Sequence, residues 1–120
     1  MWRTLFKPIT ALLVGLCTLV GCSSGSENYQ AWLDDGGIVL DTRTLAEYQA
    51  DHVGISVLMP YDEVPARIHT VAPDKNTPIL LYCRSGRRAG VAEKALLDMG
   101  YTRVQNLGSL AQARSALGVQ

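Results

Sequence analysis

Three short runs of wholly apolar residues constrain this chain more than any other feature: Ile38-Val39-Leu40, Val57-Leu58-Met59 closed by Pro60, and Ile79-Leu80-Leu81-Tyr82. A strand with one wet face alternates apolar and polar residues. A run without alternation fits a strand covered on both faces, as in a parallel sheet. Helical spacing fills the gaps. Residues 28–34 predict a short helix with Trp32 and Leu33 inward, ended by Gly36 or Gly37. Thr44-Leu45-Ala46-Glu47 has the capping-box pattern and opens a helix through Ala50. Residues 62–72 put Val64, Ile68 and Val71 on one face, with Pro65 in the tolerated first turn. Residues 89–99 gather Ala92, Ala95, Leu96 and Met99, and Gly100 stands at the stop. Residues 102–105 predict a weaker fourth strand. Strands alternating with helices imply an α/β domain of three layers, a mainly parallel sheet of four to five strands with helices on both faces. Ligands in such folds gather at the carboxyl ends of the strands, where both Asp41 and Cys83 fall.

The first 21 residues are a different kind of sequence. Arg3 and Lys7 precede an apolar run over residues 9–20 that is short of the about 20 residues a membrane span needs. The pattern fits the apolar region of a secretory signal. Leu19-Val20-Gly21-Cys22 resembles the lipobox of bacterial lipoproteins, in which cleavage precedes a lipidated cysteine. A plain signal peptide or an uncleaved anchor helix are the alternatives. The expected organisation is a signal over residues 1–21, lipidated Cys22 and a flexible tether over 22–26, and one domain over 27–120. The protein is then expected in the bacterial cell envelope, facing the periplasm, with Ser23 favouring the outer membrane in a Gram-negative host. Removing Arg3 and Lys7 leaves nine of eleven basic residues against eleven acidic ones, formally −2. That balance argues against a nucleic-acid binder. Cys17 is lost with the signal and Cys22 is used by the lipid, so Cys83 is the free thiol that remains.

The segment Tyr82-Cys83-Arg84-Ser85-Gly86-Arg87-Arg88-Ala89 sets a cysteine after a buried strand, then a turn, then a helix. The unpaired N–H groups and positive dipole end of that helix point back toward the sulfur. Arg84, Arg87 and Arg88 add positive charge, and such surroundings favour thiolate, the nucleophilic form. Gly86 lets the turn take a positive φ and bring backbone close to an anion. A structural cysteine beside solvating arginines is the competing reading.

Residues 38 to about 110 resemble the rhodanese-like family, especially its small exported members. Val39-Leu40-Asp41-Thr42-Arg43 is similar to the family's strand ending in Asp-x-Arg. Glu47-Tyr48, His52-Val53 and Pro60 follow at the usual spacing. Cys83-Arg84-Ser85-Gly86-Arg87-Arg88 is similar to the C-x-x-G-x-R active loop, and Gly100-Tyr101 through Val104 to the last helix-to-strand turn. The resemblance implies about five mostly parallel strands and sulfane transfer. Cys83 would attack a donor such as thiosulfate, hold one sulfur as a persulfide, and pass it to a thiol or cyanide. Arg84, Ser85, Gly86, Arg87 and Arg88 would bind the anion and the persulfide. It implies no metal and no organic cofactor. Thiosulfate and sulfite are dianions, which suits the arginines.

Gly54-Ile55-Ser56-Val57-Leu58 and Gly108-Ser109 depart from the family pattern. Asp41 and Arg43 are expected to order the neighbouring loop by pairing, more than to touch substrate. Glu47 is expected to cap a helix, His52 and His69 to be non-catalytic, and Trp32 and Tyr82 to pack. A phosphatase or arsenate reductase would need an arginine six places after the cysteine, where this chain has Ala89. A sulfur carrier or redox sensor without turnover remains an alternative. A dithiol oxidoreductase lacks its second cysteine.

Overall fold

The computed structural model describes residues 28–120. The chain runs α1 (Tyr29–Asp34), β1 (Ile38–Asp41), α2 (Leu45–Ala50), β2 (Val57–Leu58), α3 (Val64–Arg67), a 3-10 turn (Ile68–Thr70), β3 (Ile79–Cys83), α4 (Arg87–Asp98), β4 (Val104–Ser109) and α5 (Leu110–Leu117). The four strands form one sheet in the order β2-β1-β3-β4, every pair parallel. The all-apolar runs thus pair as their composition requires, and all five residues of β3 are buried.

Each face of the sheet has its own core. Leu40, Ile79, Leu81 and Cys83 meet Val64 and Ile68 on one side, together with Ala89, Ala92 and Leu96 of α4. Val39, Leu80, Tyr82 and Leu107 meet Ala113 of α5 on the other, with Tyr29, Trp32 and Leu33 of α1 packed against them. After β1 the chain moves outward to β2, and after β3 it moves outward the other way to β4. The strand order therefore reverses between β1 and β3, and a crevice opens at their carboxyl ends. Asp41 and Cys83 end those two strands.

Several expectations are corrected. Residues 62–72 do not form one helix: α3 stops at Arg67 and tightens into the 3-10 turn. Glu63 supplies no side-chain cap to start it. Pro73 biases Ala72 away from helical geometry at the other end, so neither terminus supports a long helix. On α4 the buried positions are Ala89, Ala92 and Leu96, with Ala95 and Met99 only half-buried. The fourth strand extends to Ser109 and runs directly into α5. That helix opens on a capping box between Ser109 and Gln112, the pattern that marks α2 as well.

Candidate active site

β3 delivers Cys83 to the floor of a turn, and α4 begins four residues later at Arg87. Gly86 caps α4 with φ +91°, a backbone state that a side chain would strain. A Cβ there would also lie 3.2 Å from Gly108 Cα on β4. The turn thus needs glycine twice over, for its handedness and for the close approach of the neighbouring strand.

The Gly86 N–H donates to Cys83 Sγ at 2.9 Å. Burial alone pushes the thiol's pKa up, but the N–H groups of Ala89, Ser85, Gly86 and Arg88 outweigh it and hold the thiol below its ordinary value. The sulfur therefore sits in a ring of backbone donors at a helix start, which satisfies thiolate better than thiol. Cys83 has no surface open to water in this conformation.

The three arginines divide their work. Arg84 and Arg87 are exposed and make no hydrogen bond or ion pair among the described residues. Arg88 is held bidentate by Glu47, with Nη1 and Nη2 each 3.0 Å from a carboxylate oxygen. Its backbone N–H faces the sulfur while its guanidinium braces the loop. Of the three guanidiniums expected to face the anion, that of Arg88 is already engaged by Glu47.

Glu47 caps α2 as expected, accepting from the Thr44 N–H at 2.9 Å. It also crosses to the active loop, which its sequence position did not suggest. The Arg88 guanidinium and then the Thr44 N–H hold its carboxyl down at about 2. A second brace comes from Asn106 on β4. Its Nδ2 donates to the Gly86 carbonyl at 2.8 Å, and its Oδ1 accepts from the Gly108 N–H at 2.8 Å. This ties the turn to a bulge in β4, where Leu81 pairs with Asn106 but Cys83 pairs with Ser109. The departure Gly108-Ser109 falls in that bulge, with Gly108 at φ +91°.

Asp41 and Arg43 form a buried ion pair, with Arg43 Nη2 2.7 Å from Asp41 Oδ2 and Nε 2.9 Å from Oδ1. Asp41 also accepts from the Arg43 N–H at 3.0 Å and the Tyr82 hydroxyl at 2.8 Å. The Arg43 guanidinium continues to the Asp51 carbonyl. The two residues therefore pair with each other, and the pair joins the end of β1 to the Asp51 carbonyl. Tyr82 is more than packing. Its hydroxyl also accepts from the Val53 N–H at 3.0 Å and lies 3.0 Å from Ser56 Oγ, joining β3 to the segment before β2. His52 stacks on Tyr48, ring centres 3.7 Å apart, and its Nδ1 lies 2.7 Å from the Tyr48 carbonyl. His69 is exposed on the 3-10 turn, and Trp32 packs on the β-sheet face away from α4. Among the described residues no three His, Cys, Asp or Glu side chains gather to hold a metal. Cys22, the expected signal over residues 1–21 and the tether lie outside the described residues.

The family model of the rhodanese-like domain matches residues 26–113. The chain belongs to the rhodanese-like family. The thiosulfate sulfurtransferase PspE of Escherichia coli is 44% identical over 71 residues, covering 59% of this chain and 68% of that protein. A sulfurtransferase of Allochromatium vinosum is 33% identical over 84 residues, covering 68% and 77%. Among solved structures, an E. coli rhodanese with anions superposes with TM-score 0.62 at 41% identity, covering 63% of this chain and 89% of that one. These likenesses bear out the expected rhodanese-like α/β fold and a sulfurtransferase enzyme.

Proposed function

We propose that the chain moves sulfane sulfur from thiosulfate to a thiophilic acceptor through a persulfide on Cys83. The observation that carries this reading is the ring of backbone N–H groups around a thiol whose pKa is lowered despite burial. The Cys83 thiolate attacks the outer sulfur of thiosulfate, a new S–S bond forms, and sulfite leaves with the electron pair of the broken bond. The terminal sulfur of the resulting persulfide carries the negative charge and takes the place of the thiolate among the donors. An acceptor nucleophile then attacks that terminal sulfur, and Cys83 departs as thiolate. Arg84 and Arg87, exposed and without partners among the described residues, would meet the dianionic donor and the leaving sulfite. The anions named with the E. coli rhodanese fit the same chemistry.

Thiosulfate:cyanide turnover in the wild type and in Cys83→Ser tests the proposal. Thiocyanate formation by the wild type and none by the variant is the expected result. Equal background in both would leave a sulfur carrier or sensor as the better reading. We also propose that Cys22 carries lipid and tethers the domain to the cell envelope, on the lipobox-like Leu19-Val20-Gly21-Cys22. Labelling of the protein with radioactive palmitate in cells, abolished by Cys22→Ala, is the expected outcome.

A further inference from the structure

The first described residues lie close to a basic groove. Asn28 and Tyr29 share one surface depression with Leu117 and Gly118 at the end of α5. The next residue, Val119, lines a second, open groove of about 650 Å³ together with Arg43, Arg84, Leu110, Ala111 and Arg114. Cys83 does not line that groove, so it is a surface beside the reaction. The point where the chain enters the domain and the groove are therefore neighbours, joined through Gly118 and Val119.

The groove is positive. Arg43 is balanced by Asp41, and Arg114 by Asp51 with Nη1 2.9 Å from Oδ2. Arg84 is exposed and has no partner among the described residues. The first turn of α5 carries no acidic residue, so the positive end of its dipole adds to the same field. Val119 is 42% exposed and gives the rim an apolar point. Near the amino ends of the strands the balance is reversed. Arg103 and Lys94 are matched there by Asp35 and Asp98, and Asp34 and Asp74 outnumber Lys75.

From this we infer that the groove face docks on anionic phospholipid headgroups, with Arg84 against their phosphates and Val119 at the apolar boundary. The inference rests on the proposed lipid at Cys22. Five residues lie between Cys22 and Asn28, and the six steps reach at most about 20 Å. A small domain is roughly 30 Å across, so the anchor keeps the entry point near the bilayer and holds the far end of the domain away from it. Among the surfaces beside the entry point, the one with an unmatched cation then meets the negative membrane surface, where each basic residue is worth about five-fold in binding.

The test uses the processed, lipid-bearing protein reconstituted in vesicles that contain a headgroup-nitroxide lipid. A fluorophore is placed at Ala111→Cys on the groove, or at Leu97→Cys in the last turn of α4, both exposed positions. Each label is carried in Cys83→Ser so that no second thiol reacts. In vesicles of equal parts phosphatidylglycerol and phosphatidylcholine, quenching at position 111 should exceed that at 97 by at least about five-fold. The excess should disappear in phosphatidylcholine alone. It should also disappear at about 1 M salt, where the Debye length is about 3 Å. Val119→Glu should abolish the excess, while Val119→Gln keeps it. Equal quenching at the two positions in the anionic vesicles overturns the inference, as does an excess that phosphatidylcholine preserves or that Val119→Glu leaves unchanged. Protein recovered without lipid on Cys22 would instead sink the proposed anchor, so the two failures are distinct.

Discussion

Glu47→Gln separates a helix cap from a brace on the active loop. Glutamine keeps the geometry needed to accept from the Thr44 N–H but removes the charge that holds Arg88 at 3.0 Å. The Glu47 carboxyl is lowered from 4.5 to about 2, first by Arg88 and then by the cap. A gap of roughly 2.5 units corresponds to a ceiling of about 3.4 kcal/mol of preference for the ionised form. Both side chains keep about a quarter of their surface in water, and part of the shift belongs to the cap. Screening therefore reduces the loss to about 1–2 kcal/mol. The sign follows from the depressed pKa. The stabilisation is fully present above the unfolded-state value of 4.5 and is lost as pH falls toward 2. Urea unfolding at pH 7 should show the full deficit in the variant, and the difference from wild type should narrow between about pH 4 and pH 2. Activity carries the second half of the prediction. Arg88 also presents its N–H to the sulfur, so loosening its anchor should raise the thiol's pKa. It should also lower kcat/KM for thiosulfate by about 3–10-fold, short of the about 10²-fold that losing a whole donor costs. A stability deficit with unchanged thiol pKa and unchanged kcat/KM would refute the brace and leave Glu47 a cap alone.

Other perturbations address neighbouring parts of the account. The rate of Cys83 alkylation by iodoacetamide against pH should show a midpoint below the about 8.5 of a free thiol; a midpoint at or above it would contradict the donor ring. Asn106→Ala removes the bonds to Gly86 and Gly108, so it should cost about 1–3 kcal/mol in urea unfolding and reduce sulfur loading in the same assay. Tyr82→Phe leaves the Val53 N–H without its acceptor and removes a donor from Asp41. It should destabilise by about 1–3 kcal/mol while kcat for sulfur loading stays near wild type, because the hydroxyl network faces away from the sulfur.

The parts of this molecule legible in the sequence are those written in local chemistry. The unbroken apolar runs at Ile38 and Ile79 announce strands buried on two faces, and Cys83 followed by Gly86 announces a turn into a helix start. The capping box at Thr44 does the same for α2. The braces were not legible, because they join residues far apart in the chain. Glu47 meets Arg88 over 41 positions, and Asn106 reaches back 20 to Gly86. No local pattern distinguishes a Glu that caps from one that caps and also crosses to another helix. The Tyr82 hydroxyl was hidden for a similar reason, since an aromatic at a strand end looks like packing until its partners are known. The helix α5 is a different case. Ser109-Leu110-Ala111-Gln112 is a readable capping box, but it follows a strand of weak pattern with no loop between to mark a new element. The single helix expected over residues 62–72 failed because periodicity of apolar residues marks a face but says nothing of how the ends are held.

Sulfur on Cys83 is the claim on which the functional account stands, and the mass of the protein measures it directly. After incubation with thiosulfate and removal of the excess, the intact wild-type chain should gain about 32 Da, one sulfur atom held as a persulfide. Cyanide should return it to its starting mass, and Cys83→Ser should never gain the sulfur. A wild-type mass that does not change, or a gain that persists in Cys83→Ser, would contradict the account.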